Sequence, residues 1–136
     1  MFSLHHVAIS VSDLERSIKF YEIFGFKHRL FWEAPDKSLK IEYMQNVDSF
    51  LELFCFKEFR TAPQRSKSID TDLPAIGVKH FALKVTSIEE TLVLLTKSGF
   101  AKPGTKISQG RTGMAYFFIS DPDGILMEIV QDDRVF

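Results

Sequence analysis

An internal repeat constrains the fold of this chain more than any other feature of its sequence. Residues 4–26 align without gaps with residues 78–100, at a constant shift of 74 positions. Self-similarity at a fixed spacing indicates that one structural unit occurs twice. The chain has 136 residues, which suits one domain or two small fused modules. The identical pairs are His6/His80, Ala8/Ala82, Val11/Val85, Glu15/Glu89, Gly25/Gly99 and Phe26/Phe100.

Each copy predicts a strand followed by a helix. The runs "HVAISV" and "HFALKV" are typical of short strands. Each is followed by a hydroxyl residue and, three positions later, a glutamate, at residues 12–15 and 86–89. That spacing is typical of a capping box at a helix start. Gly25 and Gly99 then stand where each helix is expected to end.

Further strand-like runs follow each predicted helix. They predict an α+β fold of two βαβββ modules. We expect a single domain over residues 1–136, with module one at about 1–58, a linker at about 59–76 and module two at about 77–136. In module two, "KPGTKISQGRTG" is typical of a loop, and "DPDG" predicts a tight turn. The predicted strands are "HRLFWEA", "LKIEYMQ", "SFLELFCF", "MAYFFIS" and "ILMEIVQ".

Strand alternation places four chemically active side chains on the faces opposite the helices. His6 shares a face with Ala8, and His80 with Ala82. Taken singly, a strand histidine is usually packed or hydrogen-bonded, and a strand glutamate usually faces solvent. Four of them at matched positions of a repeat favour a metal site, because a carboxylate on an apolar face is costly unless it is paired or metal-bound. The predicted cluster is His6, Glu52, His80 and Glu128.

The remaining histidines and the single cysteine receive structural interpretations. His5 is expected on the helix side of its strand, and His28 at the surface or in packing. Cys55 is interpreted as a small apolar strand residue, and with no second cysteine it can form no internal disulfide, which fits a reducing cytoplasm.

Composition excludes several classes of function. The net charge is −1 and no basic stripe pairs with aromatic residues, so nucleic acid is not an expected partner. No apolar run reaches the roughly 18 residues that span a membrane. The first residues, "MFSLHHVAIS", lack the features of a signal peptide. We therefore expect a cytoplasmic protein with neither a nucleic-acid nor a membrane partner.

The chain resembles the vicinal oxygen chelate superfamily, which includes glyoxalase I, methylmalonyl-CoA epimerase, fosfomycin-resistance proteins and extradiol dioxygenases. The matching stretches are "LHHVAISVSDLERSIKFYEIFGF", "FLELF", "GVKHFALKV" and "YFFISDPDGILMEIV". The sequence as a whole is most similar to small bacterial lactoylglutathione-lyase-like proteins. This resemblance implies paired modules that form a cup around one divalent metal ion, with His6, Glu52, His80 and Glu128 as its ligands.

Two positions depart from the glyoxalase I pattern. Glyoxalase I typically carries an arginine four residues after its first ligand and an asparagine four residues after its second. Both contact glutathione, and here these positions hold Ser10 and Phe56. Arg60, Arg65 and Arg111 are alternative anion-binding groups, although surface positions are the favoured interpretation.

The resemblance implies a metal-dependent lyase or isomerase acting on a hemithioacetal or similar α-oxygenated carbonyl, by proton abstraction and enediolate stabilisation. Glu128 would be the base, and Glu52 would move a proton on the opposite face. The ligand types do not determine whether the bound ion is Zn²⁺, Ni²⁺, Co²⁺ or Mn²⁺. A homodimer is expected, with the metal site formed within one chain or across two. The alternatives are an epimerase, a dioxygenase, a thiol transferase acting on an antibiotic, or a non-catalytic ligand-sequestering resistance protein.

Overall fold

The structure is a computed structural model, and it describes residues 3–61 and 72–135. The chain divides into two compact units, Met1–Pro63 and Gln64–Phe136, which we call module one and module two. Most of the predicted linker lies outside the described residues. Its exact bounds, and the expected assembly of both modules into one domain, stay predictions.

Both modules have the predicted βαβββ order, which confirms the α+β fold class. Module one contains β1 (His6–Ser10), α1 (Leu14–Glu22), β2 (Lys27–Glu33), β3 (Leu39–Asn46) and β4 (Ser49–Phe56). Module two contains β5 (Phe81–Lys84), α2 (Ile88–Lys97), β6 (Ser108–Gln109), β7 (Ala115–Ser120) and β8 (Leu126–Gln131). The two-residue β6 lies within the stretch whose sequence is typical of a loop.

The two sheets share one topology. Their strand orders are β1-β4-β3-β2 and β5-β8-β7-β6. In each sheet the first strand pairs in parallel with the last, and the remaining pairs are antiparallel. The first and last strands of a module are therefore neighbours, and residues far apart in sequence lie side by side.

One face of each sheet packs on its helix. In β4, Leu51 and Leu53 are buried, and in β8, Met127 and Ile129 are buried. Each such side chain contributes about 1.5–3 kcal/mol of burial free energy. The alternation of strand side chains leaves the residues between them on the opposite face.

The helix starts differ from the predicted capping boxes by one residue. The N-cap of α1 is Asp13, whose side chain accepts a hydrogen bond from the Arg16 amide. The N-cap of α2 is Ser87, which accepts from the Glu90 amide. Asp and Ser are among the preferred N-cap residues, because their short side chains reach the orphan amides directly. The predicted glycine ends are confirmed, since Gly25 and Gly99 both have positive φ.

Candidate metal centre

Module one brings His6 and Glu52 together. His6 begins β1 and Glu52 lies in the middle of the neighbouring parallel strand β4. The His6 Nε2 and Glu52 Oε2 atoms lie 3.2 Å apart. The histidine side chain is 36% exposed and the glutamate side chain 14%, so the pair is partly shielded yet open to a small ligand.

Module two brings His80 and Glu128 together in the same way. The His80 Nε2 and Glu128 Oε2 atoms also lie 3.2 Å apart. The histidine side chain is 25% exposed, and the glutamate is again 14% exposed. The two modules therefore present the same pair of atoms at the same separation.

The strand register explains why the two pairs are alike. Ala8 lies opposite Glu52, and Ala82 lies opposite Glu128. In each module the histidine stands two residues before that alanine, on the same face. The alanine leaves the carboxylate uncovered by a neighbouring side chain. The same strand register therefore occurs in both modules. It accounts for the predicted position of all four residues on the faces opposite the helices.

Each pair has the donor types and spacing of two ligands on one divalent ion. Imidazole and carboxylate are ordinary ligands of Zn²⁺, Ni²⁺, Co²⁺ and Mn²⁺. Two atoms bonded to one ion at about 2.1 Å, at an angle near 90–109°, lie about 3.0–3.4 Å apart. Without an ion, the same contact is a hydrogen bond from the imidazole to the carboxylate.

The structure presents these residues as pairs. Across residues 3–61 and 72–135, no three or more His, Cys, Asp or Glu side chains gather closely enough to hold a metal ion. The convergence of all four residues on one ion is therefore a prediction that the structure leaves untested.

Neighbouring groups orient the His6 ring. The Nδ1 atoms of His5 and His6 lie 2.9 Å apart, within hydrogen-bonding distance, and the His5 ring stacks on Phe50 at a centroid distance of 5.1 Å. Phe50 lies on the same face as Glu52, so the expected helix-side position of His5 is wrong. His5 precedes β1 and is not bound by the strand's alternation. A hydrogen bond at Nδ1 fixes the ring with Nε2 toward the carboxylate.

His80 lacks such a partner. Its Nδ1 atom is buried and makes no hydrogen bond within the part of the chain that the structure describes. The ring instead packs edge-on against Phe118, with centroids 5.1 Å apart. Aromatic packing, rather than a hydrogen bond, therefore orients the second imidazole.

Tyr43 is a site residue that sequence reasoning missed. It lies directly opposite Glu52 in the antiparallel pair of β3 and β4. Its ring packs edge-on against His6, with centroids 5.9 Å apart. A hydrogen bond to the Glu52 carboxylate, together with burial and the carboxylate charge, raises the pKa of Tyr43 above its usual value.

Module one contains a further histidine–glutamate pair, His28 and Glu42, on its helix side. Glu42 is only 2% exposed and its Oε1 atom contacts Nδ1 of His28. Glu42 shares its face of β3 with the buried Met44, away from Glu52. The His28 side chain is 60% exposed, which confirms the expected surface position, and it is also the partner of a buried carboxylate, which the sequence did not indicate.

The positions that depart from glyoxalase I lie on the site face. Ser10 ends β1, and Phe56 ends β4 with an exposed fraction of 44%. Neither offers a charged contact to a glutathione carboxylate. Arg60 and Arg111 are exposed, as a surface role requires, and Arg65 lies outside the described residues.

A cleft of about 580 Å³ lies elsewhere in module one, and neither His6 nor Glu52 lines it. It lies where α1 begins and β4 ends. Its charged lining is mixed, with the cations Lys37, Lys40 and Lys57 beside Asp13, Glu15 and Glu33. This mixture gives it no clear preference for one sign of ligand charge.

The fold and the paired side chains define a class: two βαβββ modules, each carrying one histidine and one glutamate on its open face. A sequence model of the Glyoxalase/Bleomycin resistance protein/Dioxygenase superfamily matches residues 3–129. The chain belongs to this superfamily and has its α+β glyoxalase-like fold. This confirms the family expected from the sequence.

Individual relatives agree with that assignment. Protein YwkD of Bacillus subtilis, whose function is uncharacterized, is 28% identical over 95% of this chain and 96% of its own length. A glyoxalase family protein from Enterococcus faecalis superposes with a TM-score of 0.77 at 29% identity, covering 94% of this chain and 96% of the other. A trypanothione-dependent glyoxalase I from Leishmania major gives a TM-score of 0.69 at 25% identity, over 96% and 87%.

No helix among the described residues is both long and apolar enough to cross a membrane.

Proposed function

We propose that this protein is a divalent-metal-dependent lyase or isomerase of the glyoxalase I type. Its substrate is a hemithioacetal or a similar carbonyl compound with oxygen on the adjacent carbon. The matched His–Glu pairs carry the proposal, because one register places identical donor atoms 3.2 Å apart in both modules. The likeness to a trypanothione-dependent glyoxalase I adds support.

His6, Glu52, His80 and Glu128 would hold the ion. When bound, the ion supplies Lewis-acid stabilisation of the negative charge that develops on the substrate oxygens. The imidazoles serve as neutral donors, and the two carboxylates offset the charge of a divalent ion. Each pair is less than half exposed, which limits the water that reaches the reacting atoms.

Glu128 acts as the base. It accepts the proton from the carbon that carries the hydroxyl and sulfur and delivers that proton to the neighbouring carbonyl carbon, while the hydroxyl proton passes to the former carbonyl oxygen. The substrate and product are then isomers, and no oxidant or reductant is consumed. In this proposal Glu52 is the second carboxylate and moves a proton on the opposite face of the substrate. General-base groups of this kind contribute about 10²–10⁴-fold to a rate.

The test compares wild-type protein with Glu128→Gln, each loaded with Zn²⁺, Ni²⁺, Co²⁺ or Mn²⁺. Hemithioacetals of methylglyoxal with several thiols serve as substrates. We expect turnover by the wild type with at least one metal, and a loss of at least about 100-fold in the variant with the fold intact. Full activity of Glu128→Gln would overturn the base assignment. Absence of turnover with every thiol and metal would overturn the glyoxalase-type reaction.

A second candidate keeps the same metal chemistry with a substrate that does not contain glutathione. Ser10 and Phe56 favour it, because both lie on the site face where glyoxalase I has polar glutathione contacts. Selective turnover of a hemithioacetal of another thiol, or of a carbonyl compound without a thiol, would distinguish this candidate from glutathione-dependent activity.

A further inference from the structure

A β-bulge separates Arg29 from the regular pairing of β2 with β3. The pairing is interrupted after His28 and resumes at Leu30, which lies opposite Tyr43. Arg29 is therefore an extra residue of β2 that has no pairing partner on β3. Bulges of this kind re-aim a side chain, and they are over-represented next to active sites.

The side chain of Arg29 is held on the open face of module one, which carries Glu52. Its Nε atom donates a hydrogen bond of 2.6 Å to Oε1 of Gln45. Nε2 of Gln45 in turn donates a hydrogen bond of 2.7 Å to the carbonyl oxygen of Val47. Gln45 lies opposite Phe50, and strand alternation places Phe50 on the same face as Glu52. The guanidinium is therefore fixed on this face by a side chain that is itself bonded to the backbone.

The terminal amino groups of Arg29 remain available to a ligand. Arg29 is exposed, and across residues 3–61 and 72–135 it makes no hydrogen bond or ion pair besides the bond to Gln45. Lys27 lies opposite Gln45 and makes no ion pair with any described residue. The only carboxylate among the described strand residues of this face is Glu52, which already contacts His6 at 3.2 Å. Two cations thus lie near each other without a counter-charge from the described chain.

We infer that Arg29 binds an anionic group of the substrate, a carboxylate or a phosphate. This inference rests on the proposed function and names a substrate class for it. A guanidinium whose Nε is engaged can still donate two parallel hydrogen bonds from its terminal amino groups to such an anion. Lys27 adds a second positive charge. Gln45 is a positioning residue, because it contacts Arg29 rather than the substrate.

The strand order sets the length of a substrate that fits. Glu52 lies opposite Tyr43, and Tyr43 lies opposite Leu30, the residue next to Arg29. Neighbouring strands are about 4.8 Å apart, so Arg29 lies about 10 Å across the sheet from Glu52. An extended chain of about seven or eight bonds spans that distance. The anionic group is therefore expected at the far end of the substrate from the reacting carbonyl.

The experiment compares three hemithioacetals of methylglyoxal that differ only in the end group of the thiol. The thiols are mercaptohexanoate, mercaptohexyl phosphate and the neutral mercaptohexanol. We measure kcat and KM separately for metal-loaded wild type, Arg29→Gln and Gln45→Met. Lys19→Gln is the matched control, because it removes one positive charge from an exposed position on α1, on the other side of the sheet. Calorimetry with the S-methyl thioethers of the three thiols measures binding independently of turnover.

We expect the wild type to have a KM at least about 10-fold lower for one of the two charged hemithioacetals than for the neutral one, because hydrogen bonds to charged groups are the strong ones. The preferred end group identifies the anion as carboxylate or phosphate. Arg29→Gln should lose the preference and keep its kcat for the neutral substrate. Gln45→Met should lose part of the preference through KM alone, and Lys19→Gln should keep all of it.

Equal KM values for charged and neutral substrates in the wild type would overturn the inference, as would an undiminished preference in Arg29→Gln. An undiminished preference in Gln45→Met would overturn the positioning role of Gln45. Turnover without a charge preference would therefore overturn this inference and leave the proposed function standing. If the wild type turns over none of the three substrates, the proposed function fails, and calorimetry decides the anion site alone. Tighter binding of a charged thioether that is lost in Arg29→Gln would support that site, and equal binding of all three would overturn it.

Discussion

Ala8 lies directly opposite Glu52 in the parallel pair of β1 and β4, and Ala82 has the same relationship to Glu128. A methyl group beside each carboxylate leaves it open on that side. Because both modules keep this arrangement, we interpret the small residue as a requirement for ligand access to the glutamate.

Ala82→Phe should therefore block the pair formed by His80 and Glu128. The new ring would lie over Glu128 and exclude a metal ion, and the fold should survive because this face is exposed rather than packed on α2. We expect at least about 10-fold weaker metal binding. Lys84→Phe is the matched control, since Lys84 lies on the same face of β5 but opposite Val130. Equal metal binding by both variants, measured by titration, would contradict the access requirement.

Ser10→Arg/Phe56→Asn should increase the use of glutathione. The double variant introduces a charged group and an amide at the two positions where glyoxalase I contacts glutathione. We expect kcat/KM for the glutathione hemithioacetal to rise by about 10-fold or more, chiefly through a lower KM, because charge-assisted hydrogen bonds mainly strengthen substrate binding. The hemithioacetal of a thiol without carboxylates is the control substrate. An equal change for both substrates would show that these positions do not recognise glutathione.

The protein is expected to form a homodimer, with the metal site formed within one chain or across two. Leu30 and Trp32 share one face of the edge strand β2 and are 59% and 48% exposed, and exposed apolar side chains of this size are typical of interaction surfaces. If the site is formed across two chains, a mixture of His6→Ala and His80→Ala chains, unfolded and refolded together, recovers about one quarter of wild-type activity. Half of randomly mixed dimers are hybrids, and each hybrid holds one intact shared site.

Each variant refolded alone is the control and should stay inactive. No recovery in the mixture, with dimers present by light scattering, would mean that both pairs come from one chain. A monomeric wild type would contradict the expected dimer itself.

His28→Ala should destabilise module one without affecting the metal site. It leaves the carboxylate of Glu42, which is 2% exposed, without its imidazole partner. We expect a loss of about 1–3 kcal/mol in the free energy of unfolding, measured by denaturant titration. His28→Ala/Glu42→Leu removes both partners and should be less destabilised than His28→Ala alone. Equal or greater loss in the double variant would contradict the role of the pair.

The repeat made the architecture and the four candidate ligands predictable. Period-two alternation in β1, β4, β5 and β8 is strong, and the helix-facing positions are filled by large apolar residues. His6, Glu52 and Glu128 can therefore be assigned to the faces opposite the helices by alternation. His80 comes directly before β5, and its contact with Glu128 places it on the same side. The family resemblance adds the expectation that these faces hold a metal.

Tyr43 and Glu42 could not be predicted in the same way. The position of Tyr43 opposite Glu52 depends on the register of the β3–β4 hairpin, which turns at Val47–Asp48. Val47 has a φ of 52°, which is unusual for a β-branched residue, so this turn carries no clear sequence signal. Glu42 shares its face of β3 with Lys40 and Met44, and this mixture of charged and apolar residues resembles a solvated face.

The central claim is that His6, Glu52, His80 and Glu128 hold one divalent metal ion. The most direct test is elemental analysis of the untagged protein, beside His6→Ala and His80→Ala, after incubation with Ni²⁺ or Zn²⁺ and removal of excess ion. We predict about one ion per chain in the wild type and a marked loss in each variant, because each removes one imidazole from a shared site. Wild-type protein that retains no ion would contradict the claim, as would either variant with wild-type metal content.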